Sequence, residues 1–481
     1  MTTPTLKSLL NSLDGALHVT NGGKLKVKDE AKLRATIDAL AEKSAFGQGD
    51  EQGTARWLIW EAALALGIVP SSIHELYIAR GRGDAPTNFT VPAMNLRAMT
   101  FECARAVFRA AAAANVGAMI FEIARSEMSY TSQRPAEYTA SVLAAAIKEG
   151  YRGPVFIQGD HCQVNHKKYV QNPDAEVQAV KDLIAECLAA GFYNIDIDTS
   201  TLVDIDKPTI SEQQVDNTKR CAEITAHIRD LEPKGVTVSV GGEIGEVGGR
   251  NSTEAELRAF IDGYNADLLT HTVKGKKKRG GPTGISKISI QTGTSHGGTV
   301  LPDGTIAQVA VDFDTLKRLS FVARKEYGLA GAVQHGASTL PETAFGKFSE
   351  CEACEVHLAT NFQNMLYDRL PDDLRGEIYD WLKVNAADER KPSDTEDQFF
   401  YKSRKKAIGP FKAKVWGLPA DKKAEIVGAW ETQFKFLFER LNIGNTKEIA
   451  DKNTTLVMVH KKLADFGVQD KAAEDVEGLA D

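Results

Sequence analysis

Asp160 and His161 close an apolar run, Val155-Phe156-Ile157-Gln158-Gly159, with a carboxylate beside an imidazole. Two other histidines share that setting. His296 and His335 each follow an apolar stretch and precede glycine, as His296-Gly297-Gly298 and His335-Gly336. Imidazoles arriving from separate segments can hold one ion and leave a coordination position open to substrate, as in catalytic zinc sites. Asp160 is then a group that orients a ligand histidine or one that moves a proton. Adjacent strand residues point different ways, so Asp160 need not be a ligand. Asp198 and Glu243 end two more apolar runs. They are candidates for a second cation position or for a hydrogen-bond network. Glu246 reads as an exposed carboxylate of the surrounding glycine-rich turn.

Six other histidines, His18, His74, His166, His227, His271 and His460, fall in loops or helices. They read as solvated or hydrogen-bonded polar residues, with His166 and His271 as rival ligands. Six scattered cysteines in 481 residues make no disulfide framework. Cys351-x-x-Cys354 stands without a second pair and reads as reduced, partly buried thiols.

These reactive residues need elements to position them. Strand-like runs are Phe89–Met94, Ala118–Ile123, Pro154–Gln158, Tyr193–Ile197, Val236–Glu243, Ser286–Thr292, Gly331–Gln334 and Cys354–Ala359. Helix-length segments separate them, among them Met99–Ala113, Pro135–Lys148, Ala175–Ala190, Ser211–Arg229 and Asp314–Tyr327. Eight such alternations predict an α/β (β/α)8 TIM barrel, which takes about 250 residues. A doubly wound open sheet is the rival, weakened because no glycine-rich dinucleotide fingerprint follows the first strand. Barrel active sites form at the carboxyl ends of strands. Those ends carry Asn95, Asp160, His161, Asp198, Glu243, His296, His335 and Thr360. Gly297 to Thr299 and Gly336 to Thr339 supply small residues and hydroxyls suited to a phosphate. The barrel is expected over 86–372. Residues 1–85 are expected to be helical, with Trp57 and Trp60 as packing residues, and 373–481 to form a helical extension.

Hydrophobic residues at 42% and charged residues at 26% are globular values. A net charge of −7 argues against a general nucleic-acid binder. No run approaches the ~18 apolar residues of a membrane span, so a cytoplasmic protein is expected. The basic run from Lys274 to Arg279 reads as a solvated loop, or as a lid over an anionic substrate.

Taken together, these residues resemble the class II, zinc-dependent fructose-bisphosphate aldolase family, which includes tagatose-bisphosphate relatives. The likeness spans roughly 89–370, with an outer bound at 405, and excludes the N-terminal helical region. Val91-Pro92-Ala93-Met94-Asn95 resembles the family's first strand and its substrate-contacting asparagine. Gly159-Asp160-His161 resembles its catalytic aspartate with a zinc ligand. Ile197-Asp198-Thr199-Ser200 and Glu243-Ile244-Gly245 resemble segments whose acids serve an alternative metal position. Gly293-Thr294-Ser295-His296-Gly297 and His335-Gly336-Ala337-Ser338 match the other zinc histidines and the phosphate loops. Tyr401-Lys402-Ser403-Arg404 is similar to a Tyr-x-x-Arg whose arginine reaches a second phosphate in one branch.

The chain also departs from that pattern. His357 stands where the family has the asparagine that holds the ketose, and Glu122-Ile123-Ala124 replaces a polar Gln-x-Ser. Thr339 replaces a glycine. Arg250-Asn251 replaces an acidic pair, leaving Glu254 as a displaced catalytic candidate. The resemblance implies a zinc aldolase, acting by default on fructose 1,6-bisphosphate. It implies Zn2+ on His161, His296 and His335, and Asp160 as the proton-transfer group. Gly297, Gly336, Ser338 and Thr360 would then cradle a phosphate. A sugar phosphate is the expected partner, and a homo-oligomer the expected assembly. A different or non-phosphorylated ketose, or a non-catalytic barrel subunit, are the alternatives.

Overall fold

The computed structural model describes residues 3–20, 22–245, 250–275, 280–294, 301 and 310–468. His296, Gly297 and Glu246 lie outside the described residues, as does most of the basic run. Eight parallel strands form the centre: β1 (Val91–Asn95), β2 (Ile120–Ala124), β3 (Gly153–Gln163), β4 (Asn194–Asp198), β5 (Ser239–Glu243), β6 (Lys287–Ile290), β7 (Ala332–Gln334) and β8 (Glu355–Leu358). Each pairs with its sequence neighbour, and β8 pairs with β1, closing the barrel. This is the (β/α)8 TIM barrel that the alternation predicts, with strands where the apolar runs lie. Helices cover the strands, so both faces are buried and the runs are continuous rather than alternating.

Local chemistry starts and stops those helices. Thr209 and Glu212 form a reciprocal cap on Ile210–Leu231, as Thr253 and Glu256 do on Glu254–Leu268. Gly150 and Gly328 adopt left-handed conformations at the ends of Pro135–Glu149 and Phe313–Tyr327.

The first 85 residues are not purely helical, which corrects the expectation. A small antiparallel hairpin joins Leu17–Val19 to Leu25–Val27. More consequential is the strand Ile68–Ser71, which pairs in parallel with the start of β3, Gly153 to Phe156. It occupies the edge that β4 takes over from Gln158 onward. Asn194 splices the two. Its amide donates to the Ser71 and Ile157 carbonyls at 3.2 and 2.9 Å and accepts from the Ile73 N–H at 2.9 Å. Four residues containing proline carry too little pattern to be told from a loop.

The C-terminal extension is helical in the main, and it wraps. Helix Ala420–Arg440 packs on Thr100–Ala114. Beyond a short helix, Lys447–Lys452, the chain runs without regular structure across Gly49–Ala65, where Trp57 and Trp60 donate their indole N–H groups to the Lys461 and Val459 carbonyls. The tryptophan stripe is packing, as expected. Apolar side chains of both extensions and of the barrel merge into one continuous core.

Candidate active site and metal centre

The strand β3 is irregular at the residues that matter. Its register with β4 shifts between Gly159 and Cys162, and His161 has φ +39°. Such a bulge breaks the alternation of faces, at a cost in backbone strain for a non-glycine residue. Asp160 and His161, although adjacent, therefore both line one cavity at the carboxyl end of the barrel. That cavity has a volume of about 480 Å³.

His335 lines the same cavity, its ring centroid 4.4 Å from that of His161. Candidate donor atoms of Asp160, His161 and His335 all lie within 4.8 Å of one another. Carboxylates stand behind His161. Its Nδ1 is 3.0 Å from Asp198 Oδ2 and 3.5 Å from Glu243 Oε2, while Nε2 is 3.8 Å from Asp160 Oδ1. Asp198 is itself held by the Gln163 amide and the Ser200 hydroxyl. His335 Nε2 is 3.0 Å from the Ser289 hydroxyl. Hydrogen bonds of this kind fix the tautomer and orientation of a metal-binding imidazole.

Burial and charge act in opposition here. Burial resists a charged His161, but Asp160, Asp198 and Glu243 outweigh it and hold its pKa well above the ordinary value. Burial likewise resists an ionised Asp198, yet the bonds from His161, Ser200 and Gln163 lower its pKa. Glu243 has the weaker bonding, and burial beside Asp198 pushes its pKa far up.

One step down the strands, a second charged cluster fills the barrel interior. Gln158, Asp196 and Glu355 each stand two residues before Asp160, Asp198 and His357. Lys287 of β6 reaches Gln158 Oε1 at 2.7 Å and Asp196 Oδ1 at 2.9 Å, and also bonds Glu355. His357 Nε2 is 2.7 Å from Glu355 Oε1. Its Nδ1 is 3.1 Å from Glu122 Oε2 and 3.2 Å from Asp160 Oδ1. Burial opposes the ionisation of Glu355, but Lys287 and His357 outweigh it and hold its pKa well below the usual range. Burial and the nearby Asp160 push Glu122 up to about 7. Gly241 makes room for this cluster, since a Cβ there would lie 2.3 Å from Asp196 Oδ1.

Asn95, Gly336, Ser338, His357 and Thr360 line the cavity with the acid–imidazole set. Gly336 takes φ +69°, and the Ser338 hydroxyl accepts from the Ala359 N–H at 2.7 Å, which ties the loop after β7 to the end of β8. Two candidates stand elsewhere. Glu254 opens its helix in ion pairs with Arg258 and Arg318, apart from the cavity lining. Arg404 is buried against Tyr367 and Tyr401 and donates to Asn364, while its neighbours Tyr401, Lys402 and Lys405 line the cavity. Arg97, paired with Glu127 at 2.7 Å, also lines it, although no motif in the sequence marks it. Its position two residues beyond Asn95 was the only available signal. A lone lysine inside an apolar run carries no sequence signal of a place in the barrel interior, so the role of Lys287 is legible only in the structure. The six cysteines are free, as their spacing predicts, and all are buried, Cys351 and Cys354 included.

The chain belongs to the class-II fructose-bisphosphate aldolase family, whose model matches residues 85–413. No curated protein matches it. Solved structures similar to it include a probable tagatose 6 phosphate kinase from Sinorhizobium meliloti. That chain has 15% identity and a TM-score of 0.50, with 75% of this chain and 99% of that one covered. A fructose-bisphosphate aldolase from Campylobacter jejuni has 15% identity and a TM-score of 0.44, covering 79% and 97%. The fructuronate-tagaturonate epimerase of Cohnella laeviribosi has 10% identity and a TM-score of 0.48, covering 74% and 81%. Among the described residues no helix is long and apolar enough to cross a membrane.

Proposed function

We propose that this chain is a metal-dependent aldolase that reversibly cleaves the C3–C4 bond of a phosphorylated ketose, with fructose 1,6-bisphosphate as the default substrate. The observation that carries this reading is the convergence of Asp160, His161 and His335 in one cavity, with Asp198 behind His161. Two imidazoles beside carboxylates suit a borderline-soft divalent ion, so the donor set fits zinc. His161 and His335 would hold it, with His296, outside the described residues, as the third ligand. Asp198 and Glu243 are available to a second cation position through the group they form with His161. When bound, the ion supplies Lewis acidity at the ketone oxygen.

The chain's own groups do the rest. Asp160 accepts the C4 hydroxyl proton as the C3–C4 bond breaks. The electron pair of that bond moves onto C3 and C2 as an enediolate, which takes up a proton from solvent at C3 to leave as the ketone product, and the C4 oxygen becomes the carbonyl of the departing aldehyde. In condensation Asp160 returns the proton. Gly336, Ser338 and Thr360 line the cavity and offer backbone N–H groups and hydroxyls suited to one phosphate, and Gly297, outside the described residues, would be a fourth member. Asn95, held by Glu127, can hydrogen-bond the sugar. No lysine Schiff base is needed. Thorough chelation should abolish cleavage, and zinc should restore it, while borohydride should trap nothing. Activity that survives chelation with no bound metal detected would sink the mechanism.

A second reading has its own observation. His357 and Glu122 occupy the floor of the cavity where the family pattern has amides. They favour an aldolase for a ketose other than the default, tagatose-type or non-phosphorylated. A panel of phosphorylated and free ketoses, ranked by kcat/KM, separates the two.

A further inference from the structure

The family match begins at residue 85, and among the described residues the segment before it contributes no side chain to the cavity lining. One of its residues nevertheless enters the barrel. Tyr77, on helix His74–Arg82, is fully buried, and its hydroxyl donates to Glu355 Oε2 in the barrel interior. Glu355 Oε1, the other oxygen of that carboxylate, lies 2.7 Å from His357 Nε2. The opposite nitrogen of His357 lies 3.2 Å from Asp160 Oδ1. Four side chains thus run in contact from the N-terminal segment to the group that handles the reacting proton.

We infer that Tyr77 is a positioning residue for Asp160, acting through Glu355 and His357, and that the N-terminal segment is thereby part of the reaction centre. The inference rests on the aldolase reading for its kinetic arm only. The contacts explain why each member has its residue type. Glu355 lies between Tyr77 on one side and Lys287, Gln158 and His357 on the other, so both oxygens are engaged and its plane is set. A carboxylate set in that way fixes the ring of His357. The ring, wedged between Glu355 and Asp160 with its centroid 4.0 Å from that of His335, leaves the Asp160 carboxylate little room to turn. An asparagine at position 357 would be too short to span Glu355 and Asp160. The imidazole therefore belongs with the tyrosine: His357 departs from the family pattern, and Tyr77 comes from the segment outside the family match. The segment's seat is rigid as well, through the strand Ile68–Ser71 and the Asn194 splice.

The test is a double-mutant cycle on the full-length, metal-loaded protein, using Tyr77→Phe, His357→Asn and the pair. Tyr264→Phe is the control, because that tyrosine is equally buried and donates its hydroxyl to Thr225 at 3.0 Å, away from this chain of contacts. Tyr77→Phe should lower kcat about tenfold with KM held, the scale of losing an outer partner of a catalytic group. In the His357→Asn background the same change should cost nothing further. A readout free of activity accompanies it. The His357 ring 15N resonances should shift in Tyr77→Phe and stay in place in Tyr264→Phe. A kcat for Tyr77→Phe within twofold of wild type, or His357 resonances that match the control's, overturns the inference. Should wild type cleave no ketose at all, the aldolase reading fails, and the resonance comparison still decides whether Tyr77 positions His357.

Discussion

Two charged clusters sit a single strand step apart in this barrel, built from the same residue types, and they differ in what supplies their positive charge. In the interior, Glu355 and Asp196 close on the Lys287 ammonium, a cation the chain carries with it. At the mouth, the positive charge that Asp198 and Glu243 meet among the described residues is the imidazole of His161, beside the neutral donors Gln163, Ser200 and Gln291. Among the described residues no lysine or arginine bonds either acid. A buried carboxylate closed on a fixed ammonium is satisfied in every state of the protein and serves the structure. Carboxylates arranged around imidazoles leave the balance of charge to protons or to a metal ion, which can come and go. His357 stands between the two clusters and contacts both.

That contrast can be broken at several points. The largest effect should come at the mouth. Asp160→Ala should lower kcat by about 10²–10⁴-fold, the range of a lost general acid–base group, with metal content measured by elemental analysis unchanged. A residual rate close to wild type would assign proton transfer elsewhere. Next is the interior. Lys287→Met strips the fixed cation from Glu355 and Asp196 and should destabilise the fold by about 3–5 kcal/mol in urea titration. A loss under about 1 kcal/mol would mean that the interior acids are already neutral, and the contrast between the clusters would dissolve.

His74 sharpens the comparison from outside both clusters. It is a buried histidine with arginines rather than carboxylates around it. Burial, reinforced by Arg229 and Arg82, lowers its pKa from 6.5 to about 4. The unfolded chain therefore takes up a proton below pH 6.5 that the folded protein refuses until about pH 4. Stability should be lost as pH falls through that window, by roughly 3 kcal/mol for this group. His74→Gln should make the melting temperature less sensitive to acid between those pH values. An acid sensitivity equal to wild type would show that His74 is not the group responsible. The smallest effect belongs to the wrap of the C-terminal chain. Trp60→Phe removes the bond to the Val459 carbonyl and should cost about 1–2 kcal/mol without changing kcat.

Much of this was legible in the chain. The strands are apolar runs of the right length because both of their faces are buried, and the reactive residues stand at their ends because the mouth is where buried backbone meets water. Residue type and order alone therefore pointed to the barrel, the family, and Asp160 with His161 and His335 as one set. Sequence spacing is silent on side-chain direction, and there the reading fell short. Glu254 and Arg404 sit at suitable places in the chain, yet they bond Arg258 and Arg318, and Asn364, respectively. Tertiary structure alone decided that a bulge turns two consecutive residues of β3 into one cavity, since bulges carry no composition of their own. It alone decided that Ile68–Ser71 is a strand, because four residues gain that state only from the edge they pair with. Closure of the barrel also brings Lys287, Glu355, His357 and Tyr77 together from three separate stretches. What the sequence determined by itself is the set of reactive groups and the ladder that presents them. Which of those groups touch depends on closure, because contacts between distant strands exist only once the eighth strand has met the first.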